Sequence, residues 1–218
     1  MPTQQEQTAI RQIVQNRSIP FLLHFTKLEN LESILTHGLL PRTGFKGLSK
    51  LPLINDQYRL DNHEDAVSLS VSFPNYRMFY GCRQRDTNQK WVVLIIHPII
   101  LWESDCAFYP MNAATGKVSS LDSSMFKNAS SLEAMFAEGV NGINRSDQTY
   151  LRLYDPSDVQ AEVMVFGAIG SDRIRGIVFN DMVAKESKAT LCVGREVYLH
   201  AGSVGFFASR SYCRNNQS

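Results

Sequence analysis

Short runs of apolar residues, separated by polar stretches, constrain this chain of 218 residues more than any other feature. Residues 19–25 (IPFLLHF), 91–96 (WVVLII), 161–167 (AEVMVFG) and 174–179 (IRGIVF) are too short for core helices. Bounded by turn formers, runs of this length read as buried strands. In residues 67–73, Val67, Leu69, Val71 and Phe73 alternate with Ser68, Ser70 and Ser72 until Pro74 stops the pattern. That period of two predicts a strand with one apolar face and one solvated row of serines. In residues 161–167, Glu162, Met164 and Phe166 fall on one side, and Val163 and Val165 on the other. Residues 189–199 suggest a further strand, preceded by a short helix. Helical signals are fewer. Ile10, Ile13 and Val14 mark a leading helix, and residues 131–138 another that Gly139 ends. Thr26 with Glu29 fits a capping box ahead of Leu28, Leu31, Ile34 and Leu35, with Gly38 as the left-handed terminator. Strands outnumber helices, so the expected class is α+β, in a single domain over residues 1–218. An apolar content of 44% suffices for its core.

Several function classes lose their support. The formal net charge is +1, from 22 basic and 21 acidic residues, so any nucleic-acid contact must come from a local cluster. Cys82, Cys106, Cys192 and Cys213 lie far apart without a C-x-x-C pair, which argues against a metal site and a disulfide framework. The N-terminal residues 1–18 have no apolar stretch of signal-peptide length, and no apolar run approaches the roughly 20 residues of a membrane span, so no membrane partner and a cytoplasmic location are expected. Walker, G-x-G-x-x-G and G-x-S-x-G motifs are missing from the sequence.

The polar residues of interest each admit two readings. His24 ends a strand, as a core histidine satisfied by backbone or as a ligand contact. Glu162 interrupts an apolar strand, where a carboxylate is costly unless solvated or paired; it is an edge residue or a site residue. Because His24, Ser72 and Glu162 come from separate strands, they could meet in a cleft between two sheets. Residues 40–63 show neither periodicity, and a loop this long in a compact domain usually covers a site. It contains Arg59, a surface ion-pair partner on sequence alone. Phe73, Tyr76, Phe79 and Tyr80 interleave with Arg77, Arg83 and Arg85, either as a stacking surface for bases or as core with solvated charges. A polar loop over 140–160 carries Arg145, Tyr150, Arg152 and Tyr154.

Taken in order, the segments HFTKLENLESILTHGLL (24–40), RLDNHEDAVSLSVSFPNYRMFY (59–80), WVVLIIHP and DPSDVQAEVMVFG (155–167) resemble the DarT family of the ADP-ribosyltransferase superfamily. The resemblance implies two packed, mainly antiparallel β-sheets forming an NAD cleft, with flanking helices. It implies NAD as co-substrate, no metal, and transfer of ADP-ribose to a base in single-stranded DNA with release of nicotinamide. His24, Phe25 and Thr26 would hold the nicotinamide half, with Asn30 nearby. Ser72, Phe73 and Tyr76 would lie beside it, Arg59 would clamp the diphosphate and aid catalysis, and Glu162 would be the catalytic carboxylate. Residues 121–161 would recognise the DNA strand, with Arg145, Arg152 and Tyr154 joining Arg77 as nucleic-acid contacts. A toxin of this kind implies a cognate antitoxin, a DarG-like ADP-ribosyl hydrolase. SFPNYRMFY departs from the Y-F-x-x-R-x-P-M-like signature of thymidine-modifying members, which leans the reading toward guanine. Alternatives are an RNA or protein acceptor, or a non-catalytic module binding nucleic acid through residues 73–85.

Overall fold

The structure, a computed structural model, describes residues 1–48, 50–54, 63–116 and 118–216. Among these residues the strands are β1 (Leu22–Lys27), β2 (Ala66–Val71), β3 (Trp91–Ile96), β4 (Asp105–Tyr109), β5 (Glu162–Phe166), β6 (Ile174–Phe179) and β7 (Glu196–Leu199). They hydrogen-bond in the order β4-β5-β2-β1-β3-β6-β7, antiparallel throughout except for the parallel pair β6–β7. The helices are α1 (Gln4–Asn16), α2 (Leu31–His37), α3 (Tyr76–Arg85), α4 (Ile100–Glu103), α5 (Ala129–Ala134), α6 (Met182–Ser187) and α7 (Arg210–Asn216).

The α+β class holds, and the two expected sheets are two halves of one seven-stranded sheet. Only Leu22↔Val71 and Leu23↔Ser70 join β1 to β2, so β1-β3-β6-β7 and β2-β5-β4 meet at a narrow junction. β3 is buried at every position because its alternating residues serve both faces. Val92, Leu94 and Ile96 enter the main core, while Trp91, Val93 and Ile95 enter a second cluster with Phe79 and Phe207. Each such side chain withdrawn from water stabilises the fold by about 1.5–3 kcal/mol. β5 divides the same way: Val163 and Val165 face the main core, and Met164 and Phe166 pack with Tyr109 and Phe126.

Several local expectations change. Thr26 stays in β1 and does not cap a helix; the turn begins after Lys27 without a side-chain cap. Its buried hydroxyl accepts from Asn30 Nδ2 at 3.0 Å instead, and Glu29 faces Gln89. Gly38 has φ 84° with an extended ψ of 179°, a conformation other than the left-handed helical one and essentially restricted to glycine. Its N–H donates to Ile34 O at 2.8 Å, and Leu39 then exchanges two 2.9 Å bonds with Ile169. A Cβ at Gly38 would overlap the Ile169 carbonyl oxygen. The serine row of β2 is not a solvated face: Ser70 and Ser72 are buried. The 131–138 helix shifts to α5, and residues 189–199 give a short 3-10 turn before β7.

Candidate active site

The site grows from the junction of the two half-sheets. After Leu22 and Leu23, β1 continues along β3 while β2 continues along β5, so the central strands part. Antiparallel counting puts the next ladder position at His24, and there a side chain replaces the backbone: its Nδ1 lies 3.0 Å from Ser68 O. His24 is therefore tied to backbone and also lines the opening. The parted strands enclose a cavity of about 630 Å³. β1 contributes His24, Phe25 and Thr26; β2 contributes Ser68 and Ser70; β5 contributes Glu162 from its first position. Pro41, Arg42, Phe45 and Leu53 line it from the 40–63 segment, so the described part of that long loop does border the cavity.

Glu162 is 6% exposed, and its Oε2 accepts from Ala113 N at 3.2 Å. A carboxylate this deep has to be held by donors, and cross-strand pairing with Tyr109 fixes the backbone that carries it. Asn30, also buried, is a two-way clamp: Nδ2 donates to Leu53 O at 2.9 Å while Oδ1 accepts from Leu53 N at 2.8 Å. Through that clamp and the bond to Thr26 it fastens the loop to β1. Phe25 stacks on Phe79 with ring centroids 4.5 Å apart. One face of α3 presents Arg77 and Arg85 on either side of Gly81, a spacing of four residues that keeps all three in line. With Arg42, which pairs with Glu64 at 3.7 Å, three arginines line the cavity beside the single carboxylate of Glu162 among the described lining residues. Such a balance favours an anionic ligand. The volume and mixed apolar and polar lining suit a dinucleotide-sized molecule.

Residues 23–199 match the family model described as "ssDNA thymidine ADP-ribosyltransferase, DarT". The chain belongs to the DarT family. That family is described by its activity, ADP-ribosyl transfer to single-stranded DNA. Among solved structures, it is similar to Thermus sp. 2.9 DarT in complex with ADP-ribosylated ssDNA, with a TM-score of 0.59 at 14% identity, covering 84% of this chain and 95% of that one. The same DarT in complex with NAD+ gives 0.53 at 15% identity, covering 84% and 96%. Thermosipho africanus DarTG in complex with ADP-ribose gives 0.55 at 15% identity and covers 82% of this chain. The chain spans about half the length of that DarTG chain, 49%. No curated protein matches the sequence.

Not every residue expected of a DarT site comes to the cavity. His24, Phe25, Thr26, Asn30, Arg77 and Glu162 do; Ser72, Phe73 and Tyr76 are outside its lining. Ser72, at φ 59°, turns the chain away as β2 ends, and its Oγ donates to buried Asp155 at 2.7 Å. Phe73 packs on Phe206 at 5.7 Å, and the Arg214 guanidinium lies over both Phe73 and Tyr154. Arg145 turns inward to the carbonyls of Arg152 and Asp155, whereas the Arg152 side chain is exposed. Arg59 lies outside the described residues. The aromatic and basic segment divides: Phe73 and Phe79 are buried and Arg83 stacks over Phe79 and donates to Phe207 O at 2.6 Å, whereas Tyr80, Arg77 and Arg85 are exposed. Arg42 and Asn112 line the cavity without having been singled out by sequence reasoning, and Arg85 of the aromatic and basic segment joins them there. The helical spacing of Arg77, Gly81 and Arg85 was the available signal for its placement. Among the described residues no helix is long and apolar enough to cross a membrane, and no group of three or more His, Cys, Asp or Glu could hold a metal.

Proposed function

We propose that the cleft binds NAD+ and that this DarT-family chain moves its ADP-ribose to thymine in single-stranded DNA, releasing nicotinamide. The observation that carries the reading is the meeting of Glu162 and His24, from opposite half-sheets, in one cavity edged with guanidiniums. As the bond between nicotinamide and the ribose carbon breaks, positive charge develops on that carbon. A fixed carboxylate helps most at that moment, which lowers the barrier rather than merely tightening binding. Glu162, held by the Ala113 amide, would serve this role and accept the proton that the base nitrogen loses as it bonds to the ribose. His24 and Thr26 would hold the nicotinamide end, and Arg59 would clamp the diphosphate, on the strength of the resemblance alone. Arg77 would meet the nucleic acid from the rim, where it reaches Gln160 at 3.4 Å. A stacked duplex hides the reacting atom, so unpaired bases are the accessible acceptors.

Thymine follows the family's description. The alternative acceptor, guanine, rests on SFPNYRMFY, of which Ser72 lies outside the cavity lining and Asn75, Arg77 and Met78 lie within it. The half-length match to a DarTG chain supports pairing with a DarG-like hydrolase as antitoxin. The test uses phosphate-labelled NAD+ with oligonucleotides lacking guanine, oligonucleotides lacking thymine, RNA and protein, followed by nucleoside mass analysis. Label should enter the thymine-containing strand, and Glu162→Gln should lower transfer about 100-fold or more while preserving the fold. Label on another acceptor, or full activity in the variant, would overturn the reading.

A further inference from the structure

We infer that α7 is a positioning element for the acceptor side of the cleft, acting through Asp155 on the exposed tip formed by Arg152 and Leu153. The inference rests on the reading above that the acceptor is a DNA strand. α7 lies beyond residues 23–199, the stretch that matches the family. Its two arginines nevertheless reach into the loop before β5. Arg214 grips Asp155 with two donors, Nε to Oδ2 at 2.9 Å and Nη2 to Oδ1 at 2.8 Å. Arg210, 2% exposed, donates to Pro156 O at 2.7 Å and Ser157 O at 3.1 Å.

Asp155 is fully buried and passes this restraint on. Its Oδ2 accepts from Arg152 N at 2.9 Å, and Arg145 Nη2 holds the carbonyl of the same residue at 2.6 Å. The Arg152 peptide groups are thus fixed on both sides while its side chain, and Leu153 at 57% exposure, face solvent. Ser72 joins the knot from the end of β2 with a positive φ, a conformation that persists in a non-glycine residue only where its surroundings over-determine it. Toward the cavity, Asp158 Oδ1 accepts from Gln160 N at 2.9 Å, and Gln160 meets Arg77 two residues before Glu162. Together with Arg145, and with Arg17, whose Nη1 donates to Leu153 O at 3.3 Å, α7 therefore sets a basic and apolar tip at a fixed place along the chain leading to Glu162. A single strand of DNA, with phosphates and base faces, is the ligand chemistry such a tip recognises.

The experiment compares Arg214→Met and Arg214→Lys with the wild type for thymidine-oligonucleotide transfer and for NAD+ affinity by calorimetry. Arg214→Lys keeps the charge and loses the paired donors, so it carries the test if the methionine variant does not fold. The expected result is a KM for oligonucleotide raised about tenfold by methionine and less by lysine, with NAD+ affinity and kcat unchanged. An unchanged oligonucleotide KM in the folded variants overturns the inference. So does a fall in NAD+ binding and transfer in equal proportion, which marks α7 as structural only. Wild-type protein that modifies no DNA overturns the functional reading itself, an outcome distinct from both.

Discussion

Replacing Gly38 by alanine tests whether the joint between α2 and the cavity loop is built as described. Alanine would have to adopt φ 84° with ψ 179°, a region that costs a residue with a Cβ about 1–3 kcal/mol. The new methyl would also overlap the Ile169 carbonyl oxygen, with Ile169 C at 3.2 Å and Gly170 Cα at 3.3 Å leaving no side to yield. Relief requires Leu39 and Ile169 to separate, which removes their two 2.9 Å backbone bonds, each worth about 0.5–1.5 kcal/mol net. The sum is about 2–6 kcal/mol of lost stability. At about 2–4 °C per kcal/mol for a chain of this size, the melting temperature should fall by about 4–24 °C. Circular dichroism melts with matched urea titrations would measure it, and the KM for NAD+ should rise because Gly38 and Leu39 line the cavity. A melting temperature within about 1 °C of wild type would refute the reasoning, since neither the strained backbone nor the lost bridge permits so small a change.

Two further outcomes follow from buried polar groups. Asn30→Ala removes both bonds to the Leu53 backbone and the partner of the Thr26 hydroxyl, so it should cost about 1–3 kcal/mol and weaken NAD+ binding more than oligonucleotide binding; equal KM values in variant and wild type would contradict the clamp. Burial pushes the Asp155 carboxyl up, but the Arg214 hydrogen bonds and charge, with the Arg152 amide and Ser72 hydroxyl, outweigh it and hold the group below its ordinary value. A folded-state pKa below the unfolded one gives stability that is complete above about pH 4 and lost as pH falls through the folded value. Urea titrations from neutral to acid pH should show that slope in the wild type and a shallower one in Asp155→Asn; parallel curves would remove Asp155 from the acid transition.

The parts of the fold that were legible share one property: their side chains sort by parity or by helical period. β3 and β5 announce themselves because alternate residues of WVVLII and EVMVF enter different clusters. β4 is hidden because only Cys106, Ala107 and Phe108 separate Asp105 from Tyr109, too few for a pattern. In β2 the alternation is right and the inference of a wet face is wrong, because periodicity cannot say what covers the polar side; here it is the cavity for Ser70 and Asp155 for Ser72. Among site residues, His24 and Glu162 stood out as polar groups inside apolar strands. Phe73 and Tyr154 did not disclose their partner, since Arg214 lies far along the chain and only tertiary structure brings it across them. The Thr26 capping signal failed for a related reason: the hydroxyl had a better use beside Asn30.

The seam at Leu22, Leu23, Ser70 and Val71 has a consequence for how this protein tolerates change. Each wing of the molecule has its own ladder of hydrogen bonds, while one apolar core, with Val92 and Leu94 on one side and Val163 and Val165 on the other, runs beneath both. The histidine rides on one wing and the glutamate on the other, and their relative aim is set at that stitch. A slight change of twist there would leave a sturdy molecule whose histidine and glutamate no longer share one cavity.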